Sequence, residues 1–524
     1  MSHFPPVVYA IAFAALVVAL TALARRLPVP TPILQVAAGL LIGLLPGVEM
    51  PELDPDVIFF VFLPPVLWAA AFFTSLRDFK ANIRPIGLLA VGLVLVTTVA
   101  VAIAARAFMP GLPWAVAIAL GAIVSPPDAV AAAAIVSRLP VPRRVITILE
   151  GESLVNDASA LVLYRTAIAA AVTGQFSWGA SVVRFFIDAG VGALVGLLVG
   201  WLIIRAMRWT KDALAETLLT IAGAYIAWVV AEQLHVSAVL ACVAGGLYLR
   251  QHLSTAVGPS SRLQTKIVWD LIVFLLNAMI FLLLGVQFSA LVSAVPAGEL
   301  GSVIRTGLVV GIVAIVVRML WVPISQVLPR LLRTKRRRDE VPLRWKAISL
   351  VSWTSMRGIV SLASALALPF VLANGAPFPH RTELIVITMV VIIMTLVVQG
   401  LTLAPIIRWF DFAPEVEHIE EERIARLEAA RRGAEALEDA SREDWVDPRD
   451  VEWLRAELRD RVRLREHPGG SPDGRRRLRA RMIKAERRML VRLRNEGAIS
   501  DEVLRELELE LDLEAVRAGL GNAR

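Results

Sequence analysis

Cysteine is almost missing from this chain. Of 524 residues only Cys242 is one. No disulfide can form within the chain, and no thiolate cluster can hold a metal. Histidine is also scarce, with six in all, and none falls at metal-ligand spacing, so a zinc centre is not expected. Charge is thin as well. Charged residues make up 19% of the chain, below the roughly 25% of a soluble domain. Hydrophobic residues fill the deficit at 57%, and the mean hydropathy is +0.66.

The charges are unevenly spread. Residues 1–411 are apolar runs with charges clustered between them, and 412–524 is densely charged. This is the pattern of an all-α polytopic membrane domain, 1–411, followed by a helical tail, 412–524. The formal net charge of +8 does not point to nucleic acid. Much of the excess sits in short loops, and no nucleic-acid motif or aromatic interleaving accompanies it.

Thirteen apolar runs are long enough to count as spans: 7–25, 31–47, 56–74, 84–109, 113–137, 145–173, 181–207, 213–232, 236–252, 267–289, 300–328, 345–371 and 382–409. The second and ninth are short. The first could mimic a cleavable leader ending in Ala22-Leu23-Ala24, but no Lys or Arg precedes it, while Arg25-Arg26 follow. Odd-numbered loops are basic: Arg77, Lys80 and Arg84; Arg138, Arg143 and Arg144; Arg205, Arg208 and Lys211; Arg250, Arg262 and Lys266; Arg333 and Lys335 to Arg338. The second loop carries Glu52, Asp54 and Asp56. Basic loops face the cytoplasm. The N-terminus is therefore expected outside and the tail inside the cell membrane.

Thirteen spans divide into six, a linker and six, the arithmetic of two inverted repeats. Span 5 carries Ser125-Pro126-Pro127-Asp128 at mid-depth, where two prolines remove backbone donors and break the helix. Its inverted counterpart, span 12, carries Ser352, Ser355, Arg357, Gly358 and Ser361. Paired broken helices mark a substrate site in transporters. The tail should form helices near 416–440, 447–466, 474–496 and 500–517, with a turn at Pro468-Gly469-Gly470. Ile419, Leu427 and Leu437 give it a modest apolar stripe. It either packs on itself as a solvated unit or regulates the membrane domain. It carries no catalytic motif, and no cofactor is implied.

The chemistry is concentrated in span 6, in Glu150-Gly151-Glu152-Ser153-Leu154-Val155-Asn156-Asp157. Asp at the centre of a membrane helix costs about 2.5–3.5 kcal/mol, so its default reading is an ion or proton site. Ser153 and Asp157 are four apart and share a helix face, as do Glu152 and Asn156. Ser153 and Asn156 offer neutral oxygens beside the Asp157 carboxylate, a donor set suited to an alkali cation. One carboxylate can hold either a proton or a cation, and that competition couples the two fluxes. Arg357 is the other deep charge. Its best partner is Glu152, with Asp128 second, because an unpaired buried charge is strongly unfavourable. Asp128 either caps the half-helix after the prolines or contacts the ion. Asn277 reads as a helix–helix hydrogen bond. Arg318, Arg165, Asp188 and Gln399 read as span-end groups that reach for the interface, and His235 as an outer-loop residue. Asp157 is then the one carboxylate near the site without a cationic partner. Exchange of one monovalent cation for one proton would move no net charge.

Gly151 to Asp157, followed by Ala160-Leu161-Val162-Leu163-Tyr164, resembles the signature helix of the monovalent cation:proton antiporter-1 family, the Na+/H+ exchangers of bacterial NhaP type. Phe62 to Leu67, Asp128 to Ala131 and Met356-Arg357-Gly358 extend the resemblance. It implies a dimeric, thirteen-span protein that trades Na+ (or Li+, K+) for H+ by an elevator-like movement. It implies that Asp157 binds ion or proton, that Asn156 supports the site, that Ser153 contributes an oxygen and that Glu152 pairs with Arg357. Two departures stand out. Where relatives carry an acid in the third span, counting from Pro64 gives Ala69. Where relatives often read Thr-Asp-Pro, this chain reads Pro127-Asp128-Ala129. Both losses bear on selectivity, with K+/H+ exchange as the alternative. A membrane sensor would leave the deep charges without purpose, and a passive channel would expose a continuous pore and need no titrating carboxylate.

Overall fold

A computed structural model describes residues 6–24, 26–27, 29–45, 55–128, 132, 135–136, 139–174, 178–331, 344–412, 416–443, 445–466, 472–496 and 498–517. The half-helix expected after Pro127, the Lys335–Arg338 run and the Pro468-Gly469-Gly470 turn lie wholly or mostly outside these residues. So do Arg25, Glu52, Asp54 and Arg138. The chain divides into two compact units, Met1–Pro414 and Glu415–Arg524.

Among its described residues the first unit is built from helices joined by turns and short irregular segments, with one isolated bridge between Val371 and Pro377. Its helices are α1 Pro6–Ala24, α2 Thr31–Gly43, α3 Pro55–Phe73, α4 Leu76–Ala81, α5 Ile83–Phe108, α6 Trp114–Val124, α7 Arg143–Thr173, α8 Trp178–Thr210, α9 Ala213–Gln233, α10 Ala238–Ala256, α11 Pro259–Ala294, α12 Ala297–Leu331, α13 Trp345–Trp353, α14 Ile359–Leu366 and α15 Arg381–Phe410. Six of them, α5, α8, α9, α11, α12 and α15, contain segments long and apolar enough to cross a membrane. Shorter apolar helices run over Ile11–Ala24, Thr31–Gly43, Phe59–Phe73 and Trp114–Val124.

The outer surface of this unit is apolar. Val18, Leu41, Leu198, Leu218, Ile312 and Leu320 are all more than half exposed. A surface of that kind is matched to lipid rather than water. Helix ends carry the aromatic groups that anchor at an interface. The Arg106 guanidinium stacks on Trp114 at 4.2 Å from the ring centroid, and that of Arg205 on Trp209 at 5.3 Å. Trp345 and Trp409, at 62% and 77% exposed, sit against Phe410.

Helices meet at small residues, as close packing in lipid requires. On α2, a Cβ added at Gly39 would lie 3.0 Å from the Leu282 carbonyl carbon and 3.1 Å from Gly285 Cα. On α11, one added at Gly285 would lie 2.6 Å from the Leu40 nitrogen. Each glycine is the space into which the opposing backbone fits. α5 has a π-helical stretch at Leu88–Leu93. There the indole Nε1 of Trp321 on α12 donates to the Leu88 carbonyl at 3.0 Å. A side chain thus satisfies a carbonyl where the helical ladder is widened.

Pro126 and Pro127 follow the end of α6, and residues 125–128 are not helical. Residues 354–358 separate α13 from α14. Both interruptions fall where the sequence predicts breaks in spans 5 and 12. The second unit holds four helices: α16 Val416–Ala440, α17 Pro448–Glu466, α18 Pro472–Asn495 and α19 Asp501–Arg517. Each boundary lies within two residues of its expected place.

Candidate functional site

α7 brings the polar run of span 6 into the interior. Asp157 is 7% exposed, Glu152 1% and Asn156 0%. Ser153 and Asp157, one helical turn apart, both line a cavity of about 40 Å³. Its other walls are Leu63, Val66, Leu67 and Ala70 of α3, Pro126 to Asp128 of the first break, and Gly358, Val360 and Ser361 of the second. A water needs at least ~10–15 Å³ measured in this way. The space therefore admits a small ion with a few waters, and it excludes an organic solute.

The two breaks cross each other. The Asp128 amide donates to the Met356 carbonyl at 2.6 Å, a main-chain bond between the two unwound segments. Arg357, 1% exposed, ties them a second time. Its Nε donates to the Val124 carbonyl at 3.0 Å, at the last residue of α6. Its Nη1 donates to the carbonyl and hydroxyl oxygens of Ser355. Its backbone amide donates to Thr395 Oγ1 of α15 at 3.2 Å. A cation at a helix C-terminus meets the negative end of the dipole. The converse holds at the other break, where the Asp128 carboxylate lies against Gly358, the residue that opens α14. The acid faces the N-terminus of a half-helix from the opposite break. Any cap on the helix following its own prolines falls outside the described residues. Asn156 fastens α7 to the same place, its Nδ2 donating to the Pro127 carbonyl at 3.1 Å.

Gly358 is required by this crossing. A Cβ added there would collide with the Asp128 carboxylate and lie 2.8 Å from Asp128 Cβ. The obstacle is the stem of a side chain whose own backbone is hydrogen-bonded to Met356, so it cannot swing aside. Gly358→Ala should therefore lower exchange activity at least tenfold while membrane insertion persists. A cation-dependent dye response in vesicles would measure this, and wild-type rates would refute the close packing.

The expected Glu152–Arg357 ion pair is not the contact found. Arg318 of α12 is the partner of Glu152: its Nη2 donates to Oε2 at 2.8 Å and its Nη1 to Oε1. The physical reason is geometric. The Arg318 fork meets both carboxylate oxygens in parallel, whereas the Arg357 fork is already taken by carbonyls at the breaks. Arg318 also does not reach for an interface. It is 1% exposed, and its Nε donates to the Val351 carbonyl of α13 at 3.0 Å. Gln399 is likewise fully buried rather than at a wet span end. Asn277 Oδ1 has no hydrogen-bond partner among the described residues, against the expected helix–helix bond. Ala69 is buried but is not among the cavity residues, because α3 presents positions 63, 66, 67 and 70. Ser361, noted in the sequence only as part of the break, lines the cavity with a buried hydroxyl that has no partner among the described residues. Its position three residues after Gly358 is the signal that could have assigned it.

Residues 12–409 match the family model described as sodium/hydrogen exchanger, transmembrane. This chain belongs to the sodium/hydrogen exchanger family. An uncharacterised Na+/H+ exchanger of Mycobacterium bovis is 35% identical over 97% of this chain and 95% of its own length. A sodium, potassium, lithium and rubidium/H+ antiporter of Bacillus pumilus is 31% identical over 92% of this chain and 73% of its own. The fold matches the sodium proton antiporter MjNhaP1 of Methanocaldococcus jannaschii with a TM-score of 0.59 at 19% identity, over 77% of this chain and 97% of that one. The exchanger is thus an all-helical, multi-pass membrane antiporter of NhaP type, and its cargo class is cation and proton.

Proposed function

We propose that this exchanger trades one Na+ (or Li+) for one H+ without net charge movement, with Asp157 holding cation and proton by turns. One observation carries the reading. Asp157 is buried, lines the cavity, and makes no hydrogen bond or ion pair with any described residue. A carboxylate that served structure alone would be paired. Around it, Ser153, Ser361 and the cavity face of Asp128 supply further oxygens, the ligand type suited to a hard cation. The carbonyl of Pro127 keeps a second lone pair beyond its bond to Asn156. Glu152 is neutralised by Arg318, which leaves Asp157 as the exchanging charge.

K+ is the second reading. The absence of a carboxylate at positions 69 and 70 weakens the field on the ion, and a strong field favours the smaller cation. The Bacillus relative, named for four alkali cations, supports a broad cargo class. The wider architecture proposed is thirteen spans in two inverted repeats, a homodimer in the cell membrane, N-terminus outside and tail cytoplasmic, with alternating access.

Inside-acid proteoliposomes containing a pH-sensitive dye test the proposal. Na+ or Li+ added outside should dissipate the gradient, and clamping the membrane potential should leave the rate unchanged. If no alkali cation moves protons, the antiport reading fails. A current that scales with flux would overturn the one-for-one stoichiometry.

A further inference from the structure

The tail unit displays a surface that exchange itself does not use. Ten of the 24 residues of α18 are Lys or Arg, against two acids. Its neighbour α19 is the reverse, with seven acids and two arginines in 17 residues. The two helices pack together, joined by Arg479–Glu514 at 3.1 Å and by Arg487–Asp512. Ile483 is buried in this unit at 6% exposed, and Leu490 and Leu493 are half-buried. One face of α18 is thereby neutralised and covered.

The other face is neither. Leu478, Met482 and Met489 are 62%, 59% and 47% exposed. With exposed Ala485 they recur at helical spacing and form one apolar stripe. Exposed Arg477, Arg481, Lys484, Arg488 and Arg492 border that stripe on one side, and Glu486 lies on the other. None of these five cations is in an ion pair among the described residues. Long apolar side chains edged by Arg and Lys are the make-up of a helix that lies in a lipid interface, the apolar stripe dipping between headgroups and the cations meeting phosphate. Connectivity supplies a second argument. Only residues 411–415 separate the end of α15 from the start of α16, a reach of at most about 18 Å. The start of α16 is therefore covalently held within that distance of the end of α15, a helix long and apolar enough to cross a membrane.

We propose that the exposed face of α18 docks on an anionic phospholipid surface. A free acidic protein or a second copy of this chain would be a different occupant, and the experiment separates them. Cys242 is fully buried, so Met482→Cys in the full-length exchanger can carry an environment-sensitive fluorophore with little background. The labelled protein is reconstituted in phosphatidylcholine vesicles, with or without a quarter of phosphatidylglycerol. Emission should shift to the blue and become quenchable by lipid-borne quencher only with phosphatidylglycerol, and 0.5 M salt should reverse both changes. Arg481→Glu with Arg488→Glu should remove the shift, while Arg431→Glu with Arg432→Glu on α16, an equal change of charge, should leave it. Identical spectra in the two lipids would overturn the proposal. So would a shift that follows protein density instead of lipid charge, which means self-association, or one lost equally in the α16 variant, which means non-specific attraction. The lipid comparison and the salt reversal use the unmodified charges, so they decide the matter even if a charge-reversed protein misfolds.

Discussion

Asp157→Asn is expected to bring cation-driven proton movement in vesicles below detection, with the fold retained. The substitution preserves size and shape. An amide neither releases a proton at any working pH nor gives the ion a full charge. Stability should move the other way or not at all. Asp157 makes no hydrogen bond or ion pair with the described residues, so no partner is orphaned by the change, and a neutral amide is cheaper to bury than a carboxylate. The expected result is a transport-dead protein whose Tm in detergent is equal to or above that of wild type. Retained exchange would remove Asp157 from the proposed cycle. A large fall in Tm would mean that the carboxylate has a structural partner.

Glu152→Ala is expected to be the most destabilising single change in the polar interior. It strips the buried Arg318 guanidinium of both carboxylate bonds and leaves a charge at 1% exposure. Breaking a buried pair from one side costs about 3–5 kcal/mol. The informative measurement is a pair of double-mutant cycles by chemical unfolding. Glu152 and Arg318 should couple at the upper end of the roughly 0.5–3 kcal/mol found between contacting residues. Glu152 and Arg357 should couple weakly, because Arg357 bonds carbonyls at the breaks. Equal coupling in both cycles would restore Arg357 as a partner of Glu152.

The contrast between these two arginines shows what a sequence can and cannot convey. Asp157 stood out because the penalty for a charge is local: it depends on the apolar residues around it, and those are written in order. The breaks at Pro126-Pro127 and before Gly358 were legible for the same reason, since proline acts on its own backbone and glycine marks a close approach. Helix-face arithmetic correctly grouped Ser153 with Asp157. It says nothing about which of two distant cations meets Glu152. Arg318 lies 166 residues away from it, on a helix whose rotation and depth are fixed by packing against α5, α13 and α15. Of the adjacent pair Ala69 and Ala70 on α3, six positions after Pro64 is Ala70, and it is Ala70 that lines the cavity. Gln399 differs from its expected span-end place because burial of a polar side chain within an apolar run depends on neighbours that the run does not name.

The crossing of the two unwound segments has a mechanical consequence. Asp128 is stitched to Met356, Arg357 to Val124, and Asn156 to Pro127. None of these three bonds uses the Asp157 carboxylate. In the proposed cycle the ligands for the cargo therefore belong to a single stiff carriage assembled from three parts of the chain, and the load leaves without the carriage coming apart. A covalent link placed inside that carriage should be harmless to turnover, whereas a link between it and the surrounding helices should arrest it.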